Sequence, residues 1–208
     1  MKKICKLMIL GMLIVGCFLL GGCGQSKKEI AQEKAKEFVQ VIGEMNDTSK
    51  SLVGTIAELS AKWDKYPHNG VICAQNMLKV ENADNIESMA GWGTYIETLF
   101  DDTDYDIENQ ADREIMVEKC LEFQNVYTSI PAYDEKAYQL LQEIKENDEE
   151  TYDELKEYYL LSSDYSKTVL GFVSIEYGAS SANSYFNSVV QQMNEVDELR
   201  KRIELDYK

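Results

Sequence analysis

Proline and histidine are scarce in this sequence, and their scarcity limits both its fold and its chemistry. The 208 residues include two prolines, Pro67 and Pro131, and one histidine, His68. Because proline interrupts helices, the long stretches without it favour helical structure. Beyond the first 25 residues the only histidine or cysteine ligands are His68, Cys73 and Cys120, fewer than a four-ligand zinc site needs, and a histidine-based triad would depend on His68 alone. We expect His68 to be an exposed turn residue with no metal bound to it.

Signals of β-structure and of common catalytic motifs are also missing. Asn69-Gly70 is the one Asn-Gly pair, and the residues before it follow a helical rather than an alternating pattern. The sequence has no glycine-rich phosphate loop and no Gly-x-Ser-x-Gly motif. Its many carboxylates lie on predicted helix faces, where solvated charge is their usual role. We therefore predict a protein that is not an enzyme and needs no cofactor.

Basic residues are too few to balance the acidic ones. The chain has 21 Lys and Arg against 37 Asp and Glu, a formal net charge of −16. Nucleic-acid binding needs a basic surface to meet the phosphates, so we predict no nucleic-acid partner. The same charge argues against a protein that lies flat on an anionic membrane. The acidic surface is expected to be a solvated shell, although it could also recruit cations or basic partners.

The N-terminus combines a basic start with one apolar run. Lys2, Lys3 and Lys6 precede residues 7–20, which carry no charge. Fourteen residues at about 1.5 Å each cover roughly 21 Å as a helix, less than the ~30 Å of a bilayer's hydrocarbon core. This length is typical of the apolar region of a secretory signal.

The run closes on Leu20-Gly21-Gly22-Cys23, and this stretch resembles a bacterial lipoprotein signal peptide. The resemblance covers only about the first 25 residues. It implies that the Cys23 thiol receives a diacylglyceryl group and that a peptidase, recognising Leu20, Gly21 and Gly22, cuts before Cys23. The expected location is the extracytoplasmic face of a cell membrane, or an outer membrane in a Gram-negative host. An ordinary signal peptide and an uncleaved anchor are the alternatives.

This interpretation divides the chain into three parts. Residues 1–22 form the signal peptide, residues 23–29 the lipidated cysteine and a flexible tether, and residues 30–208 a helical bundle domain. Cys5 and Cys17 would leave with the signal peptide. Cys73 and Cys120 would remain outside the cytoplasm, either as a disulfide or as two buried small hydrophobic side chains.

The first helix is predicted from a regular apolar seam. Its members are spaced alternately by four and three residues from Ala31 to Tyr66, with Ser49 as the polar exception. This spacing continues through Asn46-Asp47-Thr48-Ser49, where local propensity favours a break. We therefore predict one helix of about 36 residues that ends at Tyr66-Pro67. The seam consists of Ala31, Ala35, Phe38, Ile42, Met45, Ser49, Leu52, Ile56, Leu59, Trp63 and Tyr66.

Further helices complete an all-α antiparallel bundle of four to five long helices. The sequence predicts a short helix over residues 71–81 and a helix capped by Asp84, with Glu87 at capping-box spacing. A long helix follows to about residue 129, and Pro131 is predicted to mark a corner. The next helix covers about residues 133–158. A last continuous helix runs from Tyr165 to Tyr207, capped by Ser162 or Ser163.

Three further features of the sequence are candidate sites. Asp102, Asp104 and Asp106 match positions 1, 3 and 5 of the calcium loop, but Ile107 and Arg113 stand where its glycine and final glutamate should be, which excludes an EF-hand. An irregular cation site remains an alternative there, with Asp101, Asp102, Asp104 and Asp106 as ligands. The small residues 178–184 indicate close helix packing or a groove for a ligand or partner helix. Tyrosines near residue 160 are expected at the edge of the core with their hydroxyls in solvent. The alternative is that they line a surface that binds a peptide or glycan. They are Tyr152, Tyr158, Tyr159 and Tyr165.

The function predicted from these observations is that of an interaction protein. We expect a lipid-anchored, extracytoplasmic accessory module of the cell envelope that binds a protein or peptide and contacts the membrane through the Cys23 lipid. The alternative is a lipoprotein that binds a small ligand or a cation.

Overall fold

The computed structural model describes residues 26–62, 67–89, 108–174 and 179–207. Within these ranges there are six helices and no strand, so the all-α prediction is confirmed. Four of the helices are long. The helices are α1 (Lys27–Lys62), α2 (Pro67–Met77), α3 (Ala83–Met89), α4 (Gln110–Asn147), α5 (Glu149–Ser174) and α6 (Ala179–Asp206).

Helix α1 confirms the predicted continuity, since it is one helix from Lys27 to Lys62; the last residues predicted for it, 63–66, lie outside the described ranges. It begins with a capping box, in which the Ser26 hydroxyl accepts from the Glu29 N–H at 3.3 Å and the Glu29 carboxylate accepts from the Ser26 N–H at 2.7 Å. The predicted tether therefore becomes helical at Lys27, three residues before the predicted boundary. The helix runs through Asn46 and Ser49, which are buried, because packing of this face outweighs small propensity differences.

The second and third helices begin at residues that the sequence analysis placed differently. Pro67 is the first residue of α2, where its missing N–H costs no helical hydrogen bond. His68 therefore lies in the first turn of a helix, and its prediction as a residue of a turn between helices is wrong. The cap of α3 is Asn82, whose carboxamide oxygen accepts from the N–H groups of Asp84 and Asn85 at 3.0 and 3.2 Å. Asp84 lies within the first turn instead.

Helix α4 shows that the corner predicted at Pro131 is wrong. Pro131 lies inside one helix of 38 residues. An internal proline costs roughly 3 kcal/mol, but this one is exposed, and the buried face continues across it from Ile130 to Ala137. Burial of that face stabilises the continuous helix. The break occurs at Asp148, whose backbone is extended at φ −155° and ψ 109°, and whose side chain accepts from the Thr151 hydroxyl at 2.7 Å.

The last predicted helix is two helices, and the prediction of a continuous one is wrong. The rings of Phe172 and Tyr185 stack with centroids 5.5 Å apart, whereas thirteen residues of continuous helix would separate them by about 20 Å. The chain therefore reverses between α5 and α6; the intervening residues 175–178 lie outside the described ranges. Ser162 and Ser163, predicted as caps, are buried inside α5.

The four long helices alternate in direction. Lys34 pairs with Glu143 at 2.8 Å and Lys136 with Glu37 at 3.1 Å, so α4 runs antiparallel to α1. Helix α5 is parallel to α1, and α6 is antiparallel to both. Helix α1 contacts α4, α5 and α6, and α4 and α6 lie on either side of the α1–α5 pair. Helix α2 packs against α1 and touches the other long helices at one end of the bundle.

Gly70 allows α2 to approach α1 closely. A Cβ atom there would lie 2.9 Å from the backbone nitrogen of Ser60 and nearer still to the Ile56 carbonyl oxygen. We expect Gly70→Ala to lower the free energy of unfolding by about 1–3 kcal/mol, because backbone atoms would have to move. Gly54 is the matched control, since nothing lies within 4 Å of a Cβ placed there. Gly54→Ala should raise the free energy of unfolding by about 0.5–1 kcal/mol.

Urea denaturation of both variants measures this difference. Equal stability of Gly70→Ala and Gly54→Ala would contradict the close packing of α2 on α1.

Candidate functional site

A cluster of polar side chains lies in the core where α1 meets α5. The buried polar layer, as we name it, consists of Asn46 and Ser49 from α1 and Tyr158, Ser162 and Ser166 from α5. All five residues are at most 3% exposed. Ser49, Tyr158 and Ser162 fall on the apolar seams of their helices at the spacing of four and three, and this places them in the core; Asn46 adjoins the α1 seam at Met45. Ser166 adjoins the α5 seam at Tyr165.

Hydrogen bonds across the helix pair satisfy most of this layer. Asn46 Nδ2 donates to Ser162 Oγ at 3.0 Å and to Tyr158 Oη at 3.3 Å. The hydroxyls of Ser49 and Ser166 share a hydrogen bond of 2.9 Å. Burial raises the pKa of Tyr158 above its ordinary value, although the nearby Arg200 charge opposes that rise. The phenol therefore stays neutral and serves as a hydrogen-bonding group.

An ion-pair cluster closes the layer towards the solvent. Arg200 of α6 donates from Nη1 and Nη2 to the two carboxylate oxygens of Asp47, at 2.5 and 3.2 Å, and from Nε to Glu204 at 2.6 Å. The hydrogen bond with Asp47 raises the pKa of Arg200 further above its ordinary value. A Cβ at Gly43 would lie 3.1 Å from Arg200 Nη2, so the glycine leaves room for the guanidinium. This cluster fixes α6 against α1.

One pair of residues has the composition of a nucleophile and its base. Lys167 Nζ donates to Ser163 Oγ at 2.7 Å on the α4-facing side of α5. A serine nucleophile would need a neutral lysine to accept its proton. Lys167 instead forms an ion pair of 3.5 Å with Asp134, and Ser163 is 3% exposed. This arrangement is that of a structural ion pair, in which Lys167 is a donor.

Several predicted site residues lie outside the described ranges. They include the lipidation stretch Leu20, Gly21, Gly22 and Cys23 and the acidic residues Asp101, Asp102, Asp104 and Asp106. The backbone of His68 is described, but its side chain is not. In the part of the chain that the structure describes, no group of three or more His, Cys, Asp or Glu side chains could hold a metal ion. Likewise, no helix of this part is long and apolar enough to cross a membrane.

The two remaining cysteines are free thiols inside the core. Cys73 lies on α2 and Cys120 on α4, with 0% and 1% exposure. Burial raises the pKa of Cys73 from 9.0 to about 11 and that of Cys120 to about 12. The arrangement is that of two small hydrophobic side chains, one of the two alternatives drawn from the sequence.

The tyrosines near residue 160 divide between core and surface. Tyr158 and Tyr165 are 0% and 1% exposed, so the prediction that they lie at the edge of the core with wet hydroxyls is wrong for these two. Tyr152 and Tyr159 are half-buried on the side of α5 that faces α4. The Tyr159 ring lies 6.0 Å from that of Tyr138, and Lys145 lies 5.0 Å above the ring of Tyr152. Of residues 178–184, predicted to pack closely or to form a groove, the side chain of Ala182 is described as buried.

The sequence analysis missed the α5 half of the buried polar layer, although a signal was present. Residues from Thr151 to Phe172 are spaced by four and three, and Ser162 falls on that seam. This pattern predicts a helix continuous through Ser162 and Ser163. Serine is also a common helix cap, so the residue type alone favours the wrong position for Ser162 and Ser163.

Comparison with known proteins gives no relative: no family model, no curated protein and no solved structure matches this chain.

The hydrogen bonds of the buried polar layer can be measured as a coupling energy. Asn46→Ala and Ser162→Ala should each lower the free energy of unfolding, because each leaves a buried polar partner without its hydrogen bond. We expect a double-mutant cycle to give a coupling of about 0.5–1.5 kcal/mol. For comparison, the exposed pair Gln191→Ala and Glu195→Ala, joined at 2.9 Å on α6, should couple by less than about 0.5 kcal/mol. Equal couplings would contradict the buried contact.

The thiols give a second measurement, on processed protein. We expect no alkylation of Cys73 and Cys120 in the folded protein at pH 8. In denaturant without reductant, we expect two reactive thiols per chain. An unfolded thiol ionises near pH 9.0. The contribution of the buried neutral thiols to the free energy of unfolding should therefore be fully present below pH 9 and be lost as the pH rises towards about 11. Absence of thiols in denaturant until reduction would establish a disulfide instead, and fast labelling of the folded protein would contradict the burial.

Proposed function

We propose that the protein is a lipid-anchored, extracytoplasmic helical bundle that acts as an interaction or accessory module of the cell envelope and binds a protein or peptide. The observation that carries the anchoring is the stretch from Leu20 to Cys23 behind an uncharged run and a basic start. Helix α1 begins at Lys27, so the bundle would start four residues after the lipidated cysteine. Four extended residues span at most about 14 Å, which would keep one end of the bundle close to the membrane.

This anchoring would orient the bundle. Its membrane-proximal end would contain the start of α1, the α4–α5 turn and the end of α6, since Lys28 pairs with Glu150 at 3.4 Å and Tyr207 donates to Glu154 at 2.5 Å. Helix α1 is 36 residues long, about 54 Å, so α2 would lie far from the lipid. Acidic residues at the proximal end, such as Glu149 and Glu150, are repelled by anionic lipid headgroups, which favours a bundle that does not lie against the membrane surface.

The interaction role rests on what the described surface offers. Its side chains form ion pairs and aromatic contacts between helices, and the two thiols and the buried tyrosines are enclosed. Exposed apolar residues remain, with Leu160 at 55% and Tyr138 at 51% exposure on neighbouring helices. Exposed apolar residues with a polar surround are suited to protein contact.

A groove favours the alternative of a small ligand. It has a volume of about 660 Å³ and lies between the proximal parts of α1, α5 and α6. That volume is in the range of small-molecule sites, but its lining is mostly charged, with Glu150, Glu154, Arg202 and Asp206 among its residues. A thermal-shift screen of amines, amino acids and divalent cations tests this alternative, because a bound ligand raises the melting temperature.

The anchoring is tested by Cys23→Ser. We expect this variant to lose incorporation of a labelled fatty acid and to be released or left as an unprocessed precursor, because serine lacks the thiol that accepts the lipid. Cys17→Ser, within the apolar run, is the matched control and should be labelled like the wild type. Protease added to intact cells should digest the wild-type bundle. Absence of fatty acid on the wild-type protein would refute the anchoring.

A further inference from the structure

The outward side of α5 next to α6 combines apolar side chains with carboxylates. We name the residues Glu150, Glu154, Glu157, Leu161 and Asp164, with the adjoining Leu160, the α5 stripe. The first five are spaced by four, three, four and three residues, so they lie in one line about 21 Å long. Leu160 is 55% exposed and Leu161 is half-buried.

The stripe leads into the groove between α1, α5 and α6. Glu157 lines both this groove and the surface depression around Leu160 and Leu161. Leu199 and Ile203 of α6 add apolar lining to the groove. Leu199 and Ile203 are 7% and 8% exposed, so the apolar surface of the stripe is that of Leu160 and the half-buried Leu161, and carboxylates border it.

The charges along this surface are mainly negative. Four carboxylates of the stripe face Lys28, Lys156 and Arg202, and Lys28 already pairs with Glu150. Lys156 lies 5.7 Å from the ring of Tyr152, on the side away from α6. The stripe thus presents Glu157 and Asp164 beside two leucines, with no lysine or arginine paired to either among the described contacts.

We propose that the α5 stripe is the docking surface for a basic amphipathic helical segment of another protein. Apolar side chains of that segment pack on Leu160 and Leu161, while its lysines or arginines pair with Glu157 and Asp164. A stripe of about 21 Å accommodates about 14 residues of helix. This mode is the helix-in-groove type of recognition, in which apolar anchors set the register and flanking charges set the orientation. The inference rests on the proposed interaction function and names its partner class.

Charge separates this partner from the other candidates. A second copy of this chain has a net charge of −16 and would bring carboxylates against carboxylates. Nucleic acid and anionic lipid are disfavoured for the same reason. A basic helix gains both apolar burial and the release of repulsion among the carboxylates.

The test is site-specific photo-crosslinking of the full chain in its own cells. A photoreactive residue replaces Leu160, and the same residue replaces Leu121 as a control, since Leu121 is 41% exposed on α4. We expect an adduct from position 160 that maps to a peptide rich in lysine and arginine with a helical apolar period. Little or no such adduct is expected from position 121.

Charge reversal makes the test specific. With the photoreactive residue at position 160, the double variant Glu157→Lys and Asp164→Lys should lower the adduct yield about tenfold, as expected for two partly exposed ion pairs. The control, Glu118→Lys with Glu122→Lys on α4, has the same change in charge and should leave the yield unchanged. All four positions are exposed, and circular dichroism confirms that the variants fold.

Several outcomes would overturn the inference. They are an adduct to a second copy of this chain, an adduct to lipid, a captured peptide without excess basic residues, equal yields at positions 160 and 121, and a yield insensitive to charge reversal. Fatty-acid labelling is read in the same cells. Labelling without the adduct refutes this docking surface but leaves the anchoring intact, whereas the adduct without labelling supports the surface and refutes the anchoring.

Discussion

The bundle depends on the close approach of α1 and α5 at the buried polar layer. Ser49 and Ser166 are small enough for the two helices to meet at a hydrogen bond of 2.9 Å between side chains. Burial of these polar groups would be unfavourable without partners, and the hydrogen bonds from Asn46 offset much of that cost. Each such bond contributes only about 0.5–1.5 kcal/mol net, but an unpaired group would cost more. A shift in the register of α5 on α1 would separate these partners and leave buried polar groups unpaired, so the layer favours the observed register.

The rest of the arrangement follows from that pair. With α1 and α5 parallel and in contact, α4 and α6 occupy the two sides, and each is antiparallel to the pair. On the α6 side, Arg200 reaches Asp47 because Gly43 leaves space for its guanidinium. On the α4 side, Lys34 and Lys136 bridge to Glu143 and Glu37. The outward side of α5 stays exposed between these neighbours, and this is why a helix from the core of the fold also carries the proposed docking surface.

Helix continuity was predictable wherever the apolar seam was followed through an apparent break. The seam of α1 crosses Asn46 to Ser49 without a change of spacing, and the helix is continuous there. The seam of α4 also crosses Pro131, from Ile130 to Ala137, and the corner predicted at the proline is wrong. The error arose because a local breaker was given more weight than the burial of a whole face, which is worth several kcal/mol. The prediction of one helix from Tyr165 to Tyr207 is wrong for the opposite reason. The regular spacing continues on both sides of residues 175–178, and spacing alone does not reveal that the chain reverses between two helices.

The sequence by itself determined the all-α class, the acidic surface, the first helix and the resemblance of residues 1–23 to a lipoprotein signal peptide. These properties depend on composition, periodicity and local spacing, which can be read along a chain. The tertiary structure decided which polar residues are paired in the core, that Cys73 and Cys120 are buried free thiols, and which tyrosines are enclosed. Asn46 and Ser162 are 116 residues apart, and their contact exists only after α4 has returned the chain to α1. Contacts of this kind depend on how helices pack. The apolar periodicity of one helix shows which face is buried, but it does not show which helix packs against that face.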